Sequence, residues 1–170
     1  MRSLGCKDDP LVILRKILAA VDASERAPSV LETAVQLAQQ LGSTVLVLRA
    51  VSVPPEFPAA AAGSGEDPLP AHLAMEAMQQ LLVLVAGVAR DVEIGPPIVR
   101  IGEPWRVILD TAVERDVDLI VLGSHGYRGW DRVLGTTAGK VANLASRNVL
   151  VVHSRRHEQQ TPPDAAGKIF

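Results

Sequence analysis

Cysteine is almost absent: Cys6 is the only one, so a disulfide within the chain is excluded. A lone thiol suits a reducing compartment; an incidental thiol and a link between two chains both stay open for it. Aromatic residues make up only 3% of the 170 residues although 48% are hydrophobic. Val, Leu, Ile and Ala must therefore build the interior, which favours a buried parallel sheet covered by helices. Neither charge sign dominates, with 17 Lys and Arg against 19 Asp and Glu. That leaves no broad basic surface to neutralise a nucleic-acid backbone. Long apolar runs are missing too, the longest being Leu81 to Ala89, about half of what a membrane-spanning helix needs. Lys7, Asp8, Asp9, Arg15 and Lys16 interrupt the first apolar residues, which argues against an export signal. The expectation is a soluble, cytoplasmic chain, without nucleic-acid or membrane partners, whose length suits one domain.

Five short apolar segments read as strands: residues 16–22, 44–50, 98–101, 118–123 and 148–153. Between them lie stretches with helical spacing. In the first, Ser24 is a possible cap and Pro28 suits an opening turn; Leu31, Ala34, Val35, Ala38 and Leu41 form a stripe that Gly42 ends. In the second, residues 71–89, Met75, Met78, Leu81, Leu82, Val85 and Val88 give one broad apolar face. The third starts at Pro104 or Trp105 and buries Val107, Ile108, Thr111, Ala112 and Val113; the fourth covers about 136–145. Gly95-Pro96-Pro97 interrupts the approach to the third strand, and Pro97 places that strand at a sheet edge, because proline cannot donate a ladder hydrogen bond.

Alternation of strands and helices predicts right-handed crossovers and an α/β, doubly wound, five-stranded parallel sheet in the order 3-2-1-4-5, with helices on both faces. The domain is expected over 11–154, between an N-terminal tail of 1–10 and a polar, Pro-containing tail of 155–170 read as disordered. Residues 51–70, crowded with Pro, Ala, Gly and Ser, read as a long connection, either a surface insertion or a lid over a ligand. In such sheets ligands bind outside the carboxyl ends of the strands, where strand order reverses. Asp22, Ala50, Ile101 and Gly123 mark those ends.

The chemistry concentrates between the fourth strand and the fourth helix. There Gly123, Gly126, Gly129 and Gly135 precede Thr136 and Thr137. Glycines let backbone approach an anion without Cβ contact, and a helix amino terminus offers unpaired N–H groups with a favourable dipole. The threonines either cap the helix or give hydroxyls to a phosphate. In its order of Gly123, Gly126, Gly135 and Thr136 after an apolar strand, this segment resembles the nucleotide-binding universal stress proteins, with the loop from Gly126 to Gly135 one residue shorter than in that family. The resemblance extends to the first strand ending in Asp22, to Gly102-Glu103-Pro104 before a helix, and to the last strand.

The resemblance implies an adenine and ribose pocket lined by Asp22 and Ala50, walled by Leu122 and Gly123, with Gly126, Gly135, Thr136 and Thr137 holding phosphates. ATP, with or without Mg²⁺, is the implied ligand, and AMP or ADP are alternatives. A turn or helix cap is the competing reading of Asp22. The resemblance also implies a homodimer through the last strand, from Asn148 to His153, and an unidentified protein client. The implied function is a stress-response or signalling module with slow or no hydrolysis. Its alternatives are a nucleotide-independent dimeric interaction module and, lower, a slow Mg-dependent ATPase. No catalytic or metal-binding residue is assigned. Gly135 to Lys140 departs from a P-loop in glycine spacing and in the Val141 that follows. Ser124 and His125 near Asp131 lack a nucleophile-elbow pattern. His72, His125, His153 and His157 share no metal-ligand spacing. Arg128 and Arg132 are read as phosphate partners or solvated surface, and Tyr127 and Trp130 as a shield for a nucleotide or as packing groups.

Overall fold

The computed structural model describes residues 14–52, 68–88, 91–124 and 135–153. Both tails, most of the 51–70 connection, and the stretch with His125, Gly126, Tyr127, Arg128, Trp130, Asp131 and Arg132 lie outside them, as do Cys6 and His157. The elements run β1 (Lys16–Val21), α1 (Ala27–Leu41), β2 (Thr44–Val51), α2 (Pro68–Ala86), β3 (Ile98–Ile101), α3 (Pro104–Glu114), β4 (Leu119–Gly123), α4 (Thr136–Leu144) and β5 (Asn148–Val152). All strand pairs are parallel, in the order β3-β2-β1-β4-β5, as the alternating pattern predicts. Among the described residues no helix is long and apolar enough to cross a membrane.

β1 is central because its residues are apolar on both faces. Ile17, Ala19 and Val21 join the core under α1 and α2, while Leu18 and Ala20 join a second core under α3 and α4. β4 divides the same way, with Leu119 and Val121 on one side and Ile120 and Leu122 on the other. This is the two-residue period of a strand buried on both faces. Ile17, Leu18 and Ile120 are fully buried, so truncating any of them to alanine costs about 2–5 kcal/mol.

α1 buries Val30, Leu31, Ala34, Val35 and Ala38 and ends on Gly42 at φ 66°, a left-handed cap that glycine adopts without strain. Leu41, expected on its buried stripe, is 48% exposed, since it sits in the last turn beyond the sheet contact. Val113 of α3 is likewise exposed: Val107, Ile108, Thr111 and Ala112 complete the buried face, and the next residue turns away. α2 begins at Pro68, earlier than its predicted start, because first-turn residues need no N–H partner. Its buried face also differs from the expectation. Ala77 and Leu81 are buried, with Leu84, Val85 and Val88 packed beside them, while Met75 and Leu82 face solvent. The helix is apolar nearly all round, so periodicity alone cannot choose the face.

The third strand is split as its prolines require. Ile94 bridges Val45, and the ladder resumes only at Ile98, paired with Leu48. At Gly95 a Cβ would lie 2.7 Å from Leu46 Cδ2, so a larger residue there would require the end of the Leu46 side chain to shift.

Candidate functional site

At the carboxyl ends of β1, β2 and β4 the sheet opens into a cleft of about 540 Å³, a volume typical of small-molecule sites. It sits where strand order reverses, between β1 and β4, on the face covered by α3 and α4. β1 contributes Ala20, Val21 and then Asp22; β2 contributes Leu48 and Ala50; β4 contributes Leu122, Gly123 and then Ser124. The start of α3 adds Pro104 and Ile108, and the start of α4 adds Gly135, Thr136, Thr137 and Ala138. The floor is apolar and the rim polar, a combination that holds a flat ring by contact and orients it by hydrogen bonds.

The predicted residues Asp22, Ala50, Leu122, Gly123, Gly135, Thr136 and Thr137 meet in this cleft; Gly126 lies outside the described residues. Gly123 has a packing reason of its own. A Cβ there would lie 3.2 Å from Val30 Cγ2, so the glycine lets α1 approach the end of β4. Gly135 occupies the N-cap position of α4, and among the described residues no side-chain hydrogen bond caps this helix. Gly135, not Thr136 or Thr137, therefore holds the capping position that the sequence left open, and both threonines line the cleft with the first turn of α4.

Asp22 is indeed a turn residue. Its Oδ1 accepts the Ser24 N–H at 2.9 Å and the Ser24 hydroxyl at 2.6 Å. Ser24 in turn accepts the Arg26 N–H on its Oγ at 3.2 Å, and its carbonyl accepts the Ala27 N–H at 3.1 Å. Ser24 thus acts before the helix rather than as its N-cap, a position held by Arg26. These bonds fix the turn before any ligand arrives, and Asp22 still lines the cleft. Turn and ligand roles are compatible on one carboxylate, which has several acceptor sites.

Three cleft residues escape a reading of strand ends alone. Arg26 reaches from the start of α1 to donate from Nη1 to the Ser124 carbonyl at 2.9 Å. Its proximity to Asp22 in sequence was the available signal. Ser124, 7% exposed, donates its N–H to the Val152 carbonyl at 3.0 Å and places its Oγ 3.0 Å from Nδ1 of His153. The partner of Ser124 is thus a histidine from the neighbouring strand end, a pairing that only the β4–β5 register brings about. Pro104 was visible as a helix start, but its place on the cleft wall follows from the crossover.

Beside the cleft, Glu103, Trp105, Arg106 and Lys140 tie α3 to α4. Lys140 lies 3.4 Å from Glu103 Oε1 and 5.0 Å from the Trp105 ring centroid, and the Arg106 guanidinium lies 5.3 Å from the same centroid. The indole Nε1 is buried without an acceptor at full hydrogen-bonding geometry, yet it is close enough to favour a charged Glu103. That indole, followed by the charges of Lys140 and Arg106, holds the Glu103 carboxyl below its usual range. Among the described residues no group of His, Cys, Asp and Glu is placed to hold a metal ion.

The family model for the universal stress protein family matches residues 14–153. A universal stress protein of Synechocystis is 34% identical over 148 residues, covering 81% of this chain and 96% of that one. A universal stress protein from Archaeoglobus fulgidus, solved in complex with dAMP, is 25% identical with a TM-score of 0.55 and covers 82% of this chain and 98% of its own. Another universal stress protein, solved in complex with cAMP, is 25% identical with a TM-score of 0.54 and covers 83% and 98%.

Proposed function

Because this chain belongs to the universal stress protein family, we propose that its cleft binds an adenine nucleotide, with ATP as the first candidate, and that the bound state serves a cytoplasmic stress-response or signalling role. The observation that carries this reading is the cleft itself. Asp22, Ala50, Leu122 and Gly123 share it with the start of α4, so a place for a flat ring adjoins one for a phosphate chain. The neighbours solved with dAMP and cAMP support the adenine preference. In this reading Asp22 accepts from ribose or the adenine amino group, Ala50 and Leu122 contact the ring, and Gly135, Thr136 and Thr137 hold phosphate oxygens. Gly126 is proposed to join them. The test is calorimetric titration of ATP, with and without Mg²⁺, into protein stripped of ligand by unfolding and refolding. Saturable binding supports the reading; a folded protein that binds no adenine nucleotide refutes it.

A second reading rests on β5, which forms one edge of the sheet with nothing paired beyond it among the described residues. From Asn148 to His153 this edge suits a homodimer that presents a surface to a protein client without any nucleotide. Light scattering across a wide concentration range tests it, and a persistent monomer would exclude it.

A further inference from the structure

Within the cleft, charge is scarce and unequal in origin. Of its lining residues among those described, Asp22 is the one anion and Arg26 the one cation; the rest are apolar, glycine, serine or threonine. Arg26 is half-buried, and its one hydrogen bond from the side chain runs from Nη1 to the Ser124 carbonyl. No carboxylate among the described residues lies within ion-pair distance of it. A guanidinium carries five N–H donors in a rigid fork. One of them anchors the side chain to the end of β4 and the others remain for a ligand. A partly desolvated cation with an anchored fork and no counter-ion among the described residues favours an anion more strongly than a solvated surface arginine does.

We propose that Arg26 is a specificity-determining residue that makes the cleft select phosphorylated adenine compounds over the free nucleoside, by donating to a phosphate oxygen while its Nη1 stays on Ser124. The inference rests on the adenine-nucleotide reading of the same cleft. It adds the residue that supplies the positive charge, from the β1–α1 turn. Arg26 is a binding group here and takes no part in bond making or breaking.

The experiment titrates adenosine, AMP and ATP by calorimetry into the stripped wild-type protein, Arg26→Gln and Arg26→Lys, at low and at moderate salt. Circular dichroism and the thermal midpoint establish that each variant is folded. The expected result is a wild-type preference for AMP over adenosine that Arg26→Gln lowers about tenfold, with adenosine affinity held within about twofold. Arg26→Lys should restore part of the preference, with a steeper salt dependence, because an ammonium keeps the charge without the fork. Equal losses for adenosine and AMP in Arg26→Gln would show that Arg26 only braces Ser124, and an unchanged preference would show that it does not meet the phosphate; either overturns this proposal alone. Absence of any adenosine, AMP or ATP binding by the wild-type chain would overturn the adenine reading and this proposal together.

Discussion

Replacing Asp22 by asparagine and, separately, by alanine divides its turn role from its ligand role. Asparagine keeps an Oδ1 acceptor for the Ser24 N–H and hydroxyl, which stand at 2.9 and 2.6 Å, and removes only the charge. Charge-assisted bonds exceed neutral ones roughly twofold, so Asp22→Asn should destabilise the fold by about 0.5–1 kcal/mol. Alanine removes both bonds. Because Asp22 is exposed and water can replace the lost acceptor for Ser24, the cost should stay near about 1–2 kcal/mol. Urea denaturation of the three proteins measures this, and the midpoint should fall about half as far for asparagine as for alanine. Calorimetry with adenosine should then show affinity reduced about tenfold or more in both variants, since a ligand hydroxyl loses its charged acceptor in each. Wild-type adenosine affinity in a folded Asp22→Asn protein would refute the ligand role. A midpoint for asparagine equal to that for alanine would refute the division.

Other predictions follow from single positions. Thr111 is fully buried and its Oγ1 has no hydrogen-bond partner among the described residues, so Thr111→Val should raise stability by about 1 kcal/mol, read as a higher urea midpoint. Gly102 adopts φ 147°, a conformation L side chains rarely adopt, and a Cβ there would meet Val107 Cγ2 at 2.9 Å; Gly102→Ala should lower stability by about 1–3 kcal/mol by the same measurement. Glu103 has its carboxyl held below the usual range. A depressed acid pKa contributes stability above the unfolded-state value and loses it as pH falls through the folded-state value. The thermal midpoints of wild type and Glu103→Gln should therefore differ slightly at neutral pH and converge on acidification, and a difference that widened in acid would contradict this.

The sheet was legible because each strand is a short apolar run between punctuating residues. Asp22 ends one and Gly123 another, and Gly95-Pro96-Pro97 announces both the break and the edge position of β3. What stayed illegible depends on more than local pattern. α2 is apolar except for the stripe of His72, Glu76, Gln79 and Gln80, so its broad apolar surface named Met75 and Leu82 for a core that takes Ala77 and Leu84 instead. In the cleft, residues at strand ends were foreseeable, since topology puts strand ends there. Arg26 was not, because its side chain crosses to a carbonyl 98 positions away. The Ser124 contact with His153 is likewise a product of register, paired through Gly123 and Val152. Turn chemistry around Asp22 and Ser24 was half visible: the residue types were right, but the helix begins two residues later than the serine suggests, with Arg26 as its N-cap.

The two margins of the sheet are unequal. β3 is four residues long and is entered through Pro96-Pro97, where two N–H donors are missing, so it makes a poor template for another strand. β5 follows no such break and runs from Asn148 to Val152 with its full set of donors. Among the described residues, β5 is therefore the better template of the two margins for strand-to-strand association. A copy that docks β5 against β5 consumes the adhesive side of both chains, and the blunt sides that remain face outward. Under the homodimer reading proposed above, such docking would give a closed pair with two-fold symmetry rather than a growing filament, with the prolines before β3 disfavouring further strand addition.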